Sequence, residues 1–176
     1  MRFTTEFAIL APVPEKHLIS GKAVCEAEGE VAFGSKNWEL FRTIDDKRGD
    51  AAVPVLIYPS KAAPSYKVQW VGLYVRHVDS RHGTHPDKMK FRPQSTEKYP
   101  PDNKDYWAVF WHVAKLEQLP KLKWLPISNV KSIKGGWRKN APPHGPVLVA
   151  VPSLRVRLET HTDRAKRLVS SITEAA

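Results

Sequence analysis

The chain has 176 residues, of which 41% are apolar and 10% aromatic, and its formal net charge is +10. This composition excludes a disordered chain, and the lack of an apolar run of about 18 residues excludes a membrane-embedded one. The length predicts a single domain over residues 1–176. A lone Cys25 excludes an internal disulfide and a cysteine-based zinc site, and no signal-like apolar segment begins the chain, so we expect a cytoplasmic protein.

The start of the chain predicts one strand and one ambiguous stretch. Residues 3–10 are rich in Phe, Thr and Ile and predict a strand that ends before Pro12. Residues 15–32 are ambiguous because glycines interrupt them, and only residues 23–27 favour a helical turn.

The middle of the chain predicts three strands and a long loop. Residues 53–58 form a compact β-type run that predicts a strand buried on both faces. The longest such run covers residues 68–78, and Gly72 within it predicts a bend or the close approach of another backbone. The polar residues 79–105 predict a loop long enough to be functional, and residues 106–115 alternate as the next strand.

The end of the chain predicts short extended pieces and a helix. Residues 124–127 and 147–151 favour extended structure. Thr160 and Asp163 fit a capping box, and the apolar spacing over residues 165–172 predicts a C-terminal helix. Together these elements predict an α+β fold, a small, mixed, partly open β-barrel of about five or six strands flanked by helices.

The segment Gly34-Ser35-Lys36-Asn37-Trp38 is the first candidate for ligand binding. A large aromatic ring beside hydroxyl, ammonium and amide groups suits a flat, polar ligand such as a nucleobase. The ring offers a stacking face, and the polar neighbours read the edge of the base. The segment on its own favours the alternative, a tryptophan that enters the core after a turn.

A basic segment late in the chain is the second candidate. The chain holds 28 basic and 18 acidic residues, and no acid occurs between positions 121 and 140. Such an excess attracts nucleic acid, and interleaved tryptophans suit stacking, although a solvated basic face is the alternative. The candidate backbone-binding residues are Lys121, Lys123, Lys131, Lys134, Trp137, Arg138 and Lys139.

No signature of catalysis or cofactor binding occurs in the chain: there is no P-loop, no Gly-x-Ser-x-Gly elbow and no Gly-x-Gly-x-x-Gly motif. His77, His82 and His85 lie close in sequence, but histidines in a loop without an acidic cluster are typical of a surface. We therefore expect no cofactor and no metal.

The order of the motifs resembles the PUA-like superfamily, and in particular its EVE and YTH domains. The matching segments are residues 7–10, 34–38, 54–58, 70–75, 106–113, 119–120 and 151–152, the last followed by the basic helix. The resemblance implies a PUA-like fold and a non-catalytic module. Its implied partner is DNA or RNA carrying a modified base, of the methylated cytosine or adenine type, held in an aromatic cage.

The resemblance also implies which residues form the cage. Trp38 would be the first wall, with Ser35, Lys36 and Asn37 contacting the base edge or the backbone. The candidates for the second wall are Tyr99, Tyr106 and Trp107. Residues 11–12 are Ala-Pro where YTH domains usually have Lys-Ser, which favours the EVE type.

The related ASCH domains imply an alternative, because some of them resemble ribonucleases with a Gly-x-Lys-x-x-Glu-x-Arg motif. Gly34, Lys36 and Glu39 match its first three fixed positions. The expected arginine is replaced by Phe41, and Arg42 follows one residue later. In a strand this shift turns the side chain to the opposite face, which weakens the ribonuclease interpretation. A protein-interaction module that uses exposed aromatics is the third alternative.

Overall fold

The computed structural model describes residues 2–61, 66–98, 106–133 and 142–152. Within these ranges the chain has a mixed α+β arrangement. The strands are β1 (Ala8–Val13), β2 (Glu30–Ser35), β3 (Val53–Pro59), β4 (Lys67–Val68), β5 (Trp70–Asp79), β6 (Val109–Gln118), β7 (Leu125–Pro126) and β8 (Val147–Val149), and the helices are α1 (Glu15–Glu28) and α2 (Trp38–Arg48). Neither helix in the described part of the chain has the length and apolar character needed to cross a membrane.

Six strands form one sheet in the order β2-β6-β5-β3-β1-β8. Only β1 and β3 pair in parallel, and all other neighbours are antiparallel. A parallel pair requires a crossover connection, and here α1, β2 and α2 lie between β1 and β3 in the chain. The sheet is not closed, because β2 and β8 are its two edges among the described strands. Strands β4 and β7 pair separately.

The central strands separate two apolar cores. In β3, Val55 and Ile57 belong to one buried cluster, whereas Leu56 and Tyr58 belong to the other. Successive side chains of a strand point to opposite faces, so a strand with a core on each side is apolar throughout. This confirms the prediction that residues 53–58 are a strand buried on both faces.

Two predictions for the start of the chain are wrong in their bounds. Strand β1 includes Pro12, which was expected to end it. Because β8 pairs only with residues 8–10 of β1, a proline at position 12 interrupts no ladder on that side. Residues 15–28 form a full helix, and Gly21 in its middle permits close packing, since an added Cβ would lie 3.2 Å from Cγ2 of Val31.

The remaining differences concern the second helix and the end of the chain. Residues 38–48 form α2, so the binding segment joins a strand to a helix rather than continuing as a strand. The predicted helix over residues 165–172, with its capping box, lies outside the described residues.

Gly72 lies at the predicted close approach. The ladder between β5 and β6 shifts register between Val71 and Leu73. A Cβ added at Gly72 would overlap Cγ1 of Val113 and lie 3.2 Å from the carbonyl oxygen of Ala114. Glycine is therefore required here by the neighbouring strand.

We expect the substitution Gly72→Ala to lower the free energy of unfolding by about 1–3 kcal/mol, because the methyl group overpacks the contact between β5 and β6. Urea denaturation of this variant, of Val113→Ala and of the double variant measures the coupling. The double variant should recover part of the loss, since Val113 supplies the overlapping atom. Purely additive losses would contradict the contact.

Candidate functional site

A cavity of about 300 Å³ is lined both by the end of β2, at one edge of the sheet, and by the turn before β8, at the other edge. Its wall is built from the end of β1 and the start of α1, the end of β2, the residues before β6 and the turn before β8. The side-chain amide of Asn37 donates a hydrogen bond to the carbonyl oxygen of Pro146, at 3.4 Å. This bond connects the segment after β2 to the segment before β8 across the open side of the sheet.

The turn between β2 and α2 is organised by its own polar side chains. The hydroxyl of Ser35 accepts a hydrogen bond from the backbone N–H of Asn37, at 3.1 Å. Asn37 occupies the N-cap position of α2 and makes no capping hydrogen bond with its side chain, whose amide N–H donates to Pro146. The turn thus places Ser35, Lys36 and Asn37, three of the candidate binding residues, in the cavity wall.

Trp38 lies at the start of α2 and is not among the residues that line the cavity. Its side chain is 40% exposed, and the guanidinium carbon of Arg42 lies 4.6 Å from the centroid of one of its rings. The two residues are four positions apart in α2 and therefore lie on the same face of the helix. The residue expected to be the first wall is thus placed outside the cavity.

Phe33, Tyr106, Trp107 and Trp111 contribute aromatic rings to the described cavity wall. Tyr106 and Trp107 form a contacting pair among them. Their ring centroids are 4.7 Å apart and the ring planes are nearly perpendicular, at 85°. The indole of Trp107 lies against Gly34, because a Cβ added there would be 2.5 Å from Cδ2 of the indole. The backbone around Trp107 is fixed by the hydroxyl of Ser80, which donates to its carbonyl oxygen at 2.6 Å.

The charged groups in the cavity wall are basic. Lys36 places its ammonium 3.7 Å from the centroid of the Tyr106 ring. Arg92 is buried, donates to the carbonyl oxygen of Ala32, and lies 4.7 Å over the ring of Phe110. No Asp or Glu occurs among the described residues that line the cavity. The cavity therefore favours anionic and neutral ligands over cationic ones.

Arg92 belongs to the long polar loop, which two buried histidines attach to the sheet. Nδ1 of His85 accepts the backbone N–H of Asp87, so the neutral ring carries its proton on Nε2. That nitrogen lies 3.0 Å from Nε2 of His112. Nδ1 of His112 in turn lies 3.3 Å from a carboxylate oxygen of Glu30, within ion-pair range but outside hydrogen-bond geometry.

Burial lowers the pKa of both histidines. Removal from water disfavours the charged ring and lowers the pKa of His85 to about 4 and that of His112 to about 3. The contact between the two neutral rings attaches the loop to β6, and the same loop places Thr96 in the cavity wall. Of the three histidines that lie close in sequence, His77 instead contacts Asp45, at 2.7 Å, so these histidines do not form one site.

The residues of the ribonuclease alternative are not brought together around the cavity. Lys36 lines it, but Glu39 is exposed in the first turn of α2 and is not part of the wall. Because residues 39–42 are helical, the expectation based on strand alternation is wrong: Phe41 is buried in the core, stacked on Trp111. The catalytic interpretation stays a prediction.

The basic segment is only partly described. Lys121, Lys123 and Lys131 are exposed and do not line the cavity. The other predicted residues lie outside the described ranges, namely Lys134, Trp137, Arg138, Lys139 and the wall candidate Tyr99. The sequence analysis did not predict that His17, Arg92, Thr96 and residues 144–146 line the cavity. Two of these residues, Arg92 and Thr96, belong to the 79–105 loop, whose length indicated a functional loop.

Comparison with known proteins leaves the family open. No family model matches the chain, and no curated protein matches it significantly. The geometry of the cavity therefore carries the argument for function.

We expect stability to fall as the pH falls below the ordinary histidine value of 6.5 toward about 4, the pKa of folded His85. In this interval the unfolded chain binds protons that the folded chain excludes. The free energy of unfolding therefore rises with pH and reaches its full value above pH 6.5. Urea midpoints measured across this interval test the expectation. The double variant His85→Leu with His112→Leu should show a flatter profile, and identical profiles would contradict the role of the pair.

We expect Gly34→Ala to displace the indole of Trp107 from β2, because the added methyl group overlaps the ring. The near-ultraviolet circular dichroism of the tryptophans should change, and the free energy of unfolding should fall by about 1–3 kcal/mol. Gly145→Ala is the matched control, since it also lies in the wall but its Cβ would meet nothing within 4 Å. Unchanged dichroism and stability in Gly34→Ala would contradict the contact.

Proposed function

We propose that this chain is a non-catalytic nucleic-acid-binding module that holds a modified base in the cavity beside Tyr106 and Trp107. The observation that carries the proposal is the pair of perpendicular rings in a cavity wall whose described charged residues are all basic. Aromatic faces stack on bases, and basic groups attract the phosphates that accompany them. The polar groups of Ser35 and Asn37 lie in the same wall, where they can read the edge of a base.

The size of the cavity supports a small ligand. Its volume of about 300 Å³ is at the lower end of the range for small-molecule sites. Each stacked face contributes about 1–3 kcal/mol to the binding of a base. A methyl group that is buried in the cavity adds roughly 0.8 kcal/mol, which is enough for a preference between modified and unmodified bases. A base within a duplex would first have to flip out, at a cost of a few kcal/mol.

We further propose that the sheet is the partly open barrel of a PUA-like domain of the EVE/YTH type. The stagger of its strands supports this proposal. Ser35 of β2 pairs with Val109 of β6, and Val109 pairs with Asp79 of β5. Asp79 lies beyond the amino end of β3, the next strand of the sheet. Nevertheless Ser35 lines the same cavity as Val13, at the carboxyl end of β1. Strands that are tilted and staggered in this way belong to a sheet that curls toward closure.

Nucleic-acid backbone would be bound by the exposed basic residues. Lys121 and Lys123 lie on a short 3-10 turn without buried side chains, and Lys131 is exposed near β8. Lysines that neutralise phosphates release counterions, so their share of the affinity should decrease steeply with salt. In this proposal, the cavity selects the base and the lysines add affinity without reading sequence.

We expect Tyr106→Ala to weaken binding of the preferred modified oligonucleotide about 5- to 150-fold, the equivalent of one stacking face. Fluorescence anisotropy measures this with labelled single-stranded DNA and RNA that carry 5-methylcytosine, N6-methyladenine or no modification. Tyr106 is 43% exposed and Trp38 is 40% exposed, so Trp38→Ala is a matched control outside the cavity wall. Its effect should stay below about twofold, within the range of a surface substitution.

The proposal is wrong if no modification changes the affinity and Tyr106→Ala binds as tightly as the unaltered protein. An equal loss in both variants would instead place the stacking surface on the outer face of α2. Unfolding curves of both variants exclude a loss of fold as the cause.

A further inference from the structure

We propose that the cavity selects neutral modified bases and rejects bases to which methylation gives a positive charge. It should therefore prefer N6-methyladenine to 1-methyladenine and 5-methylcytosine to 3-methylcytosine. This inference rests on the proposed function, because it names the chemical class of base that the same cavity takes.

The first reason is that a cation already occupies the exposed aromatic face. An aromatic wall by itself attracts cations, because the faces of its rings carry negative partial charge. Here the ammonium of Lys36 lies 3.7 Å from the centroid of the Tyr106 ring, so this attraction already stabilises a contact within the protein. A cationic base stacked on Tyr106 would have to lie against this ammonium or displace it.

The second reason is the buried guanidinium of Arg92. It is held by the carbonyl oxygen of Ala32 and by the face of Phe110, so it cannot move out to solvent without losing both contacts. A guanidinium also stays charged at any physiological pH. No carboxylate among the described residues of the cavity wall offsets the positive charges of Lys36 and Arg92. Arg92 is buried, and repulsion between like charges is stronger beside a buried group than between groups in bulk water.

The other exposed aromatic near this end of the sheet shows the same arrangement. Arg42 lies over the Trp38 ring and forms an ion pair at 3.9 Å with Asp79, which is outside the cavity wall. Stacking faces at both places are thus already paired with cations. Any base that stacks on such a face must displace the side chain, but a neutral base is not repelled by the displaced charge, whereas a cationic base is.

Isomeric bases test the inference. Four single-stranded DNA oligonucleotides of matched sequence each carry one of the four methylated bases, and anisotropy is measured at fixed salt and neutral pH. The members of each pair have the same number of methyl groups, but only one is cationic. We expect each cationic isomer to bind at least about tenfold more weakly, a difference of about 1.4 kcal/mol.

Lys36→Gln separates the effect of charge from that of the position of the methyl group. Lys36 is exposed, so this variant should fold, and its ratio of affinities between isomers should shrink by at least about threefold, since charge repulsion is partly removed. Lys47→Gln removes the same charge from the last turn of α2, away from the cavity wall. Its ratio should equal that of the unaltered protein.

Two results would overturn the inference alone: cationic isomers that bind as tightly as neutral ones, or a ratio that is unchanged in Lys36→Gln. In both cases tighter binding of a modified than of an unmodified oligonucleotide would still uphold the proposed function. If none of the four modified oligonucleotides differs from the unmodified one, the proposed function fails and this inference fails with it.

Discussion

The candidate site depends on the contact between the indole of Trp107 and the backbone of Gly34. A side chain at position 34 would overlap the ring, so glycine is what allows the indole to lie against β2. In that position the indole stands perpendicular to Tyr106 and forms one wall of the cavity. The polar turn from Ser35 to Asn37 follows directly in the chain, so the end of β2 both accommodates the indole and leads into the hydrogen-bonding groups.

Burial keeps the two histidines that attach the long loop to the sheet neutral. Arg92 is brought into the wall by a loop, and that loop is attached to the sheet through the neutral pair of His85 and His112. A proton on either ring would place a poorly solvated charge beside this guanidinium. The burial that attaches the loop to the sheet is therefore also the cause of the lowered pKa of both histidines.

The central strands were predictable where β-prone apolar residues form a compact run. Residues 53–58 are apolar throughout because both of their faces meet a core, and Gly72 marked the place where β6 comes close. Helix α1 was missed because Gly21 is usually a sign of a loop. The reason for a glycine at position 21 is seen only in the packed structure, where the lack of a side chain lets α1 approach Val31.

The sequence by itself determined the α+β class, the buried central strands, the polar turn at residues 35–37 and the excess of basic over acidic residues between positions 121 and 140. Only the tertiary structure decided which aromatic residues face the cavity. Trp38 begins a helix that directs its ring toward Arg42, whereas Gly34 admits Trp107, which is distant in sequence. Local pattern reports which side chains are available to bind a ligand, but the direction in which each points is set by the packing of segments far apart in the chain.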